Sequence, residues 1–216
     1  MKYKYVLFDL DGTITDPFDG ITRSIIYALA KFGISENDDK KLAAFIGPPL
    51  VDSFAQYYDF SHGCALAAVG YYREYYAKTG IYECTLYDGI DRLLRELSEQ
   101  NIKVIMATSK PEIFAKRLMR HFELDGCFNF ICGATMDEKR TNKEEVIRYA
   151  IEKAGVSDLA DCIMVGDRRF DIEGAKAVGI DSIGVSYGYG SESEINAAAP
   201  TYIADSVEKL RKILLG

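Results

Sequence analysis

The stretch Phe8-Asp9-Leu10-Asp11-Gly12-Thr13 places two carboxylates one residue apart at the end of an apolar run. Val6, Leu7 and Phe8 read as a buried strand. Gly12 permits a sharp turn after it, having no side chain to forbid positive φ. Period-2 alternation sends the Asp9 and Asp11 side chains to the same side of the chain. Two carboxylates that close repel unless a positive charge sits between them, and a hard divalent cation such as Mg²⁺ is the usual answer. In a parallel α/β sheet, ligands bind at the carboxyl ends of strands, where this pair would sit.

Three more signals fall at or just past predicted strand ends: Thr108-Ser109, Lys143 and the pair Asp167/Asp171. Singly, each has an ordinary explanation as a cap hydroxyl, a solvated lysine or a Gly-Asp loop. Lys143 begins a predicted helix, where it opposes the helix dipole, so another job is expected of it. Carboxylates, a hydroxyl and a lysine at one edge of one sheet are what phosphoryl transfer requires. The carboxylates hold a metal, while the lysine and hydroxyl share the phosphoryl charge. Gly188-Tyr189-Gly190 lacks the third glycine of a dinucleotide loop and follows a late strand. No Gly-x-x-x-x-Gly-Lys loop for nucleoside triphosphates is present.

The elements that must position these residues follow from periodicity. After Thr13 the strand–helix rhythm stops for about seventy residues. Ile21, Ile25, Leu29 and Phe32 mark an amphipathic helix closed by Gly33. Further helices are expected near Asp39–Ile46, over Leu50–Tyr58, and through Leu66, Val69, Tyr72 and Tyr76. Residues 15–83 therefore read as a small helical insert whose tyrosines could stack on a flat substrate but more often serve helix packing. From Tyr87-Asp88-Gly89 onward, strands at Ile102–Ala107, Phe128–Cys132, Cys162–Val165 and Asp181–Val185 alternate with helices. Ser109 with Glu112, and Thr141 with Glu144, have capping-box spacing, and Pro111 suits a first helical turn. The expected fold class is α/β: a doubly wound, Rossmann-like parallel sheet over 1–14 and 84–216, with the helical insert after the first strand.

Composition sets the outer bounds. The 216 residues are 48% hydrophobic and 27% charged, with a net charge of −7, values of a globular domain large enough for a sizeable core. No basic cluster is present, which argues against a nucleic-acid polymer as partner. No run is long and apolar enough to span a membrane. The apolar run behind the basic residues 2–4 is broken at Asp9 and Asp11, so no signal peptide is expected. Five scattered cysteines read as reduced thiols, and the expected location is the cytoplasm. Monomer and dimer both remain open.

On these motifs the chain resembles the haloacid dehalogenase superfamily of phosphatases. Asp9-Leu10-Asp11-Gly12-Thr13 is similar to its first motif, Thr108 to the second, Lys143 to the third, and Gly166-Asp167 through Asp171 to the fourth. The insert resembles the helical cap of the phosphoglycolate phosphatase-like subgroup. Thr15-Asp16-Pro17, Phe45-Ile46-Gly47-Pro48-Pro49, Thr108-Ser109-Lys110-Pro111 and Ser186–Ser191 look most like its 5′-nucleotidase branch. Mutases of the superfamily carry Gly-x-x-Arg in the cap for a second phosphate; here that stretch is Gly47-Pro48-Pro49-Leu50.

The resemblance implies that Asp9 is the nucleophile and Asp11 the general acid and base, with Thr108 and Lys143 binding the phosphoryl oxygens. It assigns Mg²⁺ to the Asp9 side chain, the Asp11 backbone carbonyl and Asp167, with Asp171 as an alternative ligand or a support for the others. Thr13, Ser109, Lys110 and Gly47 are expected near the substrate, and Arg23 would meet a substrate carboxylate. Lys110 rivals Lys143 as the phosphate-binding lysine. The implied activity is a Mg²⁺-dependent phosphomonoesterase acting on small phosphate esters, first of all nucleoside 5′-monophosphates. Phosphoglycolate is the alternative substrate, and a phospho-accepting, receiver-like signalling domain the alternative class.

Overall fold

The computed structural model describes residues 2–137, 140 and 142–216. The chain runs β1 (Tyr5–Phe8), β2 (Thr15–Asp16), α1 (Phe18–Ala30), α2 (Asp39–Ala43), α3 (Leu50–Tyr58), α4 (His62–Tyr76) and β3 (Thr85–Leu86). It continues α5 (Ile90–Glu99), β4 (Lys103–Pro111), α6 (Glu112–His121), β5 (Phe130–Ala134), α7 (Lys143–Ala154) and β6 (Cys162–Gly166). It closes with α8 (Arg169–Val178), β7 (Asp181–Val185), α9 (Glu192–Ala198), β8 (Tyr202–Ala204) and α10 (Val207–Leu215). Two compact units result: Met1–Asp16 with Leu86–Gly216, and Pro17–Thr85.

The first unit is a six-stranded sheet in the order β5-β4-β1-β6-β7-β8, with every pairing parallel. The α/β class read from the sequence is what the chain forms. The strand order places β1 at the point where the winding changes direction, between β4 and β6. Phe8 lies opposite Met106 on one side and Val165 on the other. The residues just beyond Phe8, Met106 and Val165 are therefore delivered side by side. Beneath that edge, Leu7, Ile105 and Met164 pack against Val146, Ile147 and Ala150 of α7 and Ala175 of α8. This apolar seam fixes where α7 and α8 begin.

The second unit is helical. On α1, Ile21, Ile25 and Leu29 are buried in one stripe, and the chain turns away at Gly33 (φ +72°). Asp38 caps α2 by accepting from the Lys40 and Lys41 N–H groups. Phe45 and Phe54 are fully buried, edge to face at 5.1 Å, and Tyr72 stacks on Tyr76 at 5.2 Å. On α4 the buried stripe is Ala65, Ala68, Val69, Tyr72 and Tyr76, whereas Leu66 is 45% exposed. The expectation for Leu66 fails because residue 65, not 66, is in phase with 69, 72 and 76 at 3.6 residues per turn.

Other differences lie at boundaries. β4 continues through Ser109 to Pro111, which pairs with Ala134, so Ser109 is a strand residue and not a cap. Pro111 itself is the N-cap of α6, with no side-chain cap bond. β5 starts two residues later than its hydrophobicity suggests. Thr141 lies outside the described residues; Asn142 caps α7 by accepting from the Glu144 N–H at 2.8 Å. α9 and edge strand β8 escape a periodicity reading because both are short and flank loops. None of the five cysteines forms a disulfide. No helix among the described residues is long and apolar enough to cross a membrane.

The packing of the helical unit sets an expectation. Phe54→Ala should lower stability by about 3–5 kcal/mol, because it empties the site of a buried ring. Leu66→Gln should change it by less than about 0.5 kcal/mol. Urea unfolding of both variants checks this; comparable losses would return Leu66 to the core.

Candidate active site

The turn after β1 is built on one carbonyl. Leu10 O accepts from the N–H groups of Thr13, Ile14 and Thr15, and the Gly12 N–H donates to Thr15 O at 2.8 Å. Gly12 has φ +84°, and a Cβ there would fall 2.1 Å from an Asp167 carboxylate oxygen. Only glycine allows the turn and the carboxylate to touch. The Asp9 N–H donates to Val165 O at 2.9 Å, which anchors Asp9 beside the end of β6.

Three buried carboxylates converge at this edge. One oxygen from each of Asp9, Asp167 and Asp171 lies within 4.8 Å of the others. Lys143 enters the same cluster from the first residue of α7. Its Nζ is 2.9 Å from Asp9 Oδ1 and 2.8 Å from Asp171 Oδ1, and it donates to Ala107 O at 3.2 Å. The other job expected of Lys143 is thus charge pairing beneath the sheet edge. Although those two carboxylate oxygens are close to the ammonium, neither has a hydrogen bond of proper geometry, and both are sealed from solvent.

The electrostatics are those of an unbalanced buried cluster. Burial is the main cause that raises the Asp167 pKa well above the usual carboxylate range, and the Asp171 and Asp9 charges add to it. Asp171 is also raised by burial, an effect that Lys143 opposes. Burial pulls Lys143 down, but the Asp171 and Asp9 charges outweigh it and hold the ammonium protonated. Three carboxylates against one ammonium, with two oxygens lacking a hydrogen-bond donor, make an all-oxygen site suited to a hard divalent cation. Asp9, Asp167 and Asp171 have the chemistry to hold it.

Asp11 stands apart from this cluster. The regular strand ends at Phe8, before either aspartate. The Asp11 carboxylate instead faces Lys110, whose Nζ lies 2.5 and 2.7 Å from its two oxygens. The two rival lysines therefore have different partners. Thr108 is buried at the end of the pairing with β5, and its Oγ1 accepts from the Lys110 N–H at 3.2 Å. Ser109 is half-buried in β4 and makes no hydrogen bond to the cluster. Thr13, expected near the substrate, is fully buried and donates to Asp167 Oδ1 at 3.4 Å. Its hydroxyl supports a carboxylate.

Gly47 and Arg23 belong to the helical unit. Gly47 adopts φ +109°. Arg23 pairs with Glu83 at 2.5 Å and Asp19 at 3.6 Å. Sequence reasoning missed the residues around Asp167: Tyr189, whose N–H donates to Asp167 Oδ2 at 2.8 Å, and Tyr187, whose hydroxyl donates to Thr13 O at 3.1 Å. It also missed the Arg168–Glu194 pair, at 3.0 Å, beside the start of α8. The closely spaced glycines 188 and 190 were the available signal.

The haloacid dehalogenase-like hydrolase family matches residues 6–185. The chain belongs to that family. A 5′-nucleotidase of Pseudomonas aeruginosa is 45% identical over 214 residues, covering 99% of this chain and 96% of that protein. The Mycobacterium tuberculosis protein named tyrosine-protein kinase PtkA is 35% identical, over 97% of this chain and 72% of its own length. The crystal structure of "a predicted phosphatase" from Clostridium acetobutylicum superposes with a TM-score of 0.95 at 45% identity, covering 100% and 99% of the two chains.

The raised Asp167 pKa gives a pH expectation. Below the unfolded value of about 3.9 both states hold the proton. As pH rises the unfolded chain releases it first, so this group's contribution to stability declines between about pH 4 and the raised folded value. A divalent cation favours the ionised form and opposes that decline. In chelator, Tm should fall across this range, and Mg²⁺ should raise Tm more at about pH 8 than at about pH 5. Asp167→Asn should reduce both effects, leaving the smaller part that Asp171 contributes. Thermal melts at the two pH values check this; equal Mg²⁺ shifts would contradict it.

Proposed function

We propose that this haloacid dehalogenase-family phosphatase works through a phosphoryl group carried on Asp9, and that its substrates are nucleoside 5′-monophosphates. The observation that carries the first part is the buried Asp9 carboxylate at the end of the central strand, with Lys143 Nζ at 2.9 Å. Asp9 attacks phosphorus as the bond to the leaving oxygen breaks. Asp11 gives that oxygen a proton and later takes one from the attacking water, so one hard displacement becomes two. Lys143 and Thr108 meet the phosphoryl oxygens at the strand ends. Lys110 holds the Asp11 side chain in place by its ion pair. A bound divalent cation, Mg²⁺ by preference for an all-oxygen site, supplies further neutralisation of phosphoryl charge.

Three observations favour a nucleoside over glycolate as the leaving group. A relative 45% identical over 99% of the chain is named a 5′-nucleotidase. In the helical unit, which we read as a cap, Gly47-Pro48-Pro49 is stiff and offers no cation to a second charged group. The arginine that would meet a glycolate carboxylate, Arg23, is engaged by Glu83 and Asp19. Cysteines that form no disulfide fit a reducing compartment such as the cytoplasm.

Phosphate release with Mg²⁺ tests this against nucleoside 5′-monophosphates, phosphoglycolate, sugar phosphates, ATP and a phosphotyrosine peptide. The expected kcat/KM for a nucleoside monophosphate exceeds that for phosphoglycolate by about tenfold or more. The reverse order would replace the substrate assignment, and no release from any ester would overturn the activity. Asp9→Asn should lower turnover by about 10³ or more, since residues acting as one catalytic unit fail together. A variant retaining a tenth of wild-type turnover would remove Asp9 from the role of nucleophile.

A further inference from the structure

The loop from Ser186 to Ser191 is built around Asp167. A Cβ on Gly188 would lie 2.3 Å from Gly12 O and 2.5 Å from Asp167 Cβ, and one on Gly190 would lie 2.0 Å from Asp167 O. The loop backbone is therefore pressed onto this aspartate from two directions. Between the glycines, the Tyr189 N–H donates to Asp167 Oδ2 at 2.8 Å, while Thr13 Oγ1 donates to the other carboxylate oxygen. The Tyr189 side chain leaves the loop and donates its hydroxyl to Asp16 Oδ1. Burial and the Asp16 contact both hold that phenol protonated, as a donor must be. Tyr187 makes a parallel tie from its hydroxyl to Thr13 O. The loop is thus fastened at both tyrosines to the Thr13–Asp16 segment just past the first motif.

We propose that this loop is a collar for Asp167 and that Tyr189 is its positioning residue. By bonding Asp167 through its backbone and Asp16 through its hydroxyl, Tyr189 fixes the carboxylate in the orientation that accepts a divalent cation. The inference rests on the reading that Asp9, Asp167 and Asp171 hold such a cation. Groups that hydrogen-bond a metal ligand commonly change metal affinity by about 10–100-fold when removed. The cause is orientation: a carboxylate free to rotate loses part of its binding free energy in being ordered. The phenol touches no reacting atom, so its loss should weaken cation binding and leave recognition of the ester unchanged.

The test uses the full chain with Tyr189→Phe and Asp16→Ala, each first shown by circular dichroism and thermal melting to be folded. Tb³⁺ is the spectroscopic probe. The protein contains no tryptophan, so its tyrosines are the antenna for Tb³⁺ luminescence, and Mg²⁺ affinity is read by displacement. The Mg²⁺ concentration for half-maximal turnover is measured in parallel. Tyr189→Phe should weaken Mg²⁺ binding by about tenfold in both readouts. Saturating Mg²⁺ should restore kcat, with KM for a small phosphate ester unchanged. Asp16→Ala should match it, and the double variant should be no weaker than either single one, because both cut the same bond. Should one single variant fail to fold, the other decides.

Wild-type Mg²⁺ affinity in the folded variants would overturn the collar while leaving the metal site intact. A drop in kcat that excess Mg²⁺ does not restore would also overturn it. Absence of Mg²⁺ binding by the wild-type protein is the distinguishable failure of the underlying metal reading, and takes the collar with it.

Discussion

The structure turns on a charge imbalance sealed inside it. Asp9, Asp167 and Asp171 converge, Lys143 pairs with two of them, and all four are nearly or fully buried. Removing one partner of such a buried pair costs about 3–5 kcal/mol, because it leaves charge uncompensated. With all three carboxylates ionised the cluster would carry an excess of negative charge, and burial and mutual repulsion oppose that by raising the Asp167 pKa. An arrangement of this kind is poor as a stability device. It makes sense as a site that waits for positive charge from outside the chain.

The topology of the sheet makes the cluster possible. Phe8, Met106 and Val165 lie in register on three adjacent parallel strands, so Asp9, Thr108 and Asp167, which follow them, are delivered to one edge without long connections. The remaining two members arrive on helices. Lys143 opens α7 and Asp171 lies in the first turn of α8, and both helices are seated on the same apolar seam. Large-to-small changes among Val146, Ile147 or Ala175 would act on the site through this seam.

The pairing of Asp11 with Lys110 divides labour at the same edge. One lysine pairs with Asp9 and Asp171, while the other pairs with Asp11. The continuation of β4 through Lys110 makes this division, since a chain that turned into helix at Ser109 would not hold Lys110 in the strand.

The sequence alone determined what is local or periodic. Asp9 and Asp11 beyond an apolar run, Asp167 and Asp171 beyond another, and a lysine at the wrong end of a helix were legible because each departs from what simple folding would place there. Helix faces such as Ile21/Ile25/Leu29 and Leu93/Leu94/Leu97 were legible because side-chain period follows from backbone geometry. Only the tertiary structure decided partnership. That Lys143 meets Asp9 and Asp171 while Lys110 meets Asp11 depends on strand register and on where each strand stops. That Gly188 and Gly190 press onto Asp167 depends on contacts spanning about twenty residues, and the Tyr189–Asp16 bond on one spanning 173. Such pairings leave no periodic trace, because they arise from how separately stable elements pack and not from the order of residues within any one of them.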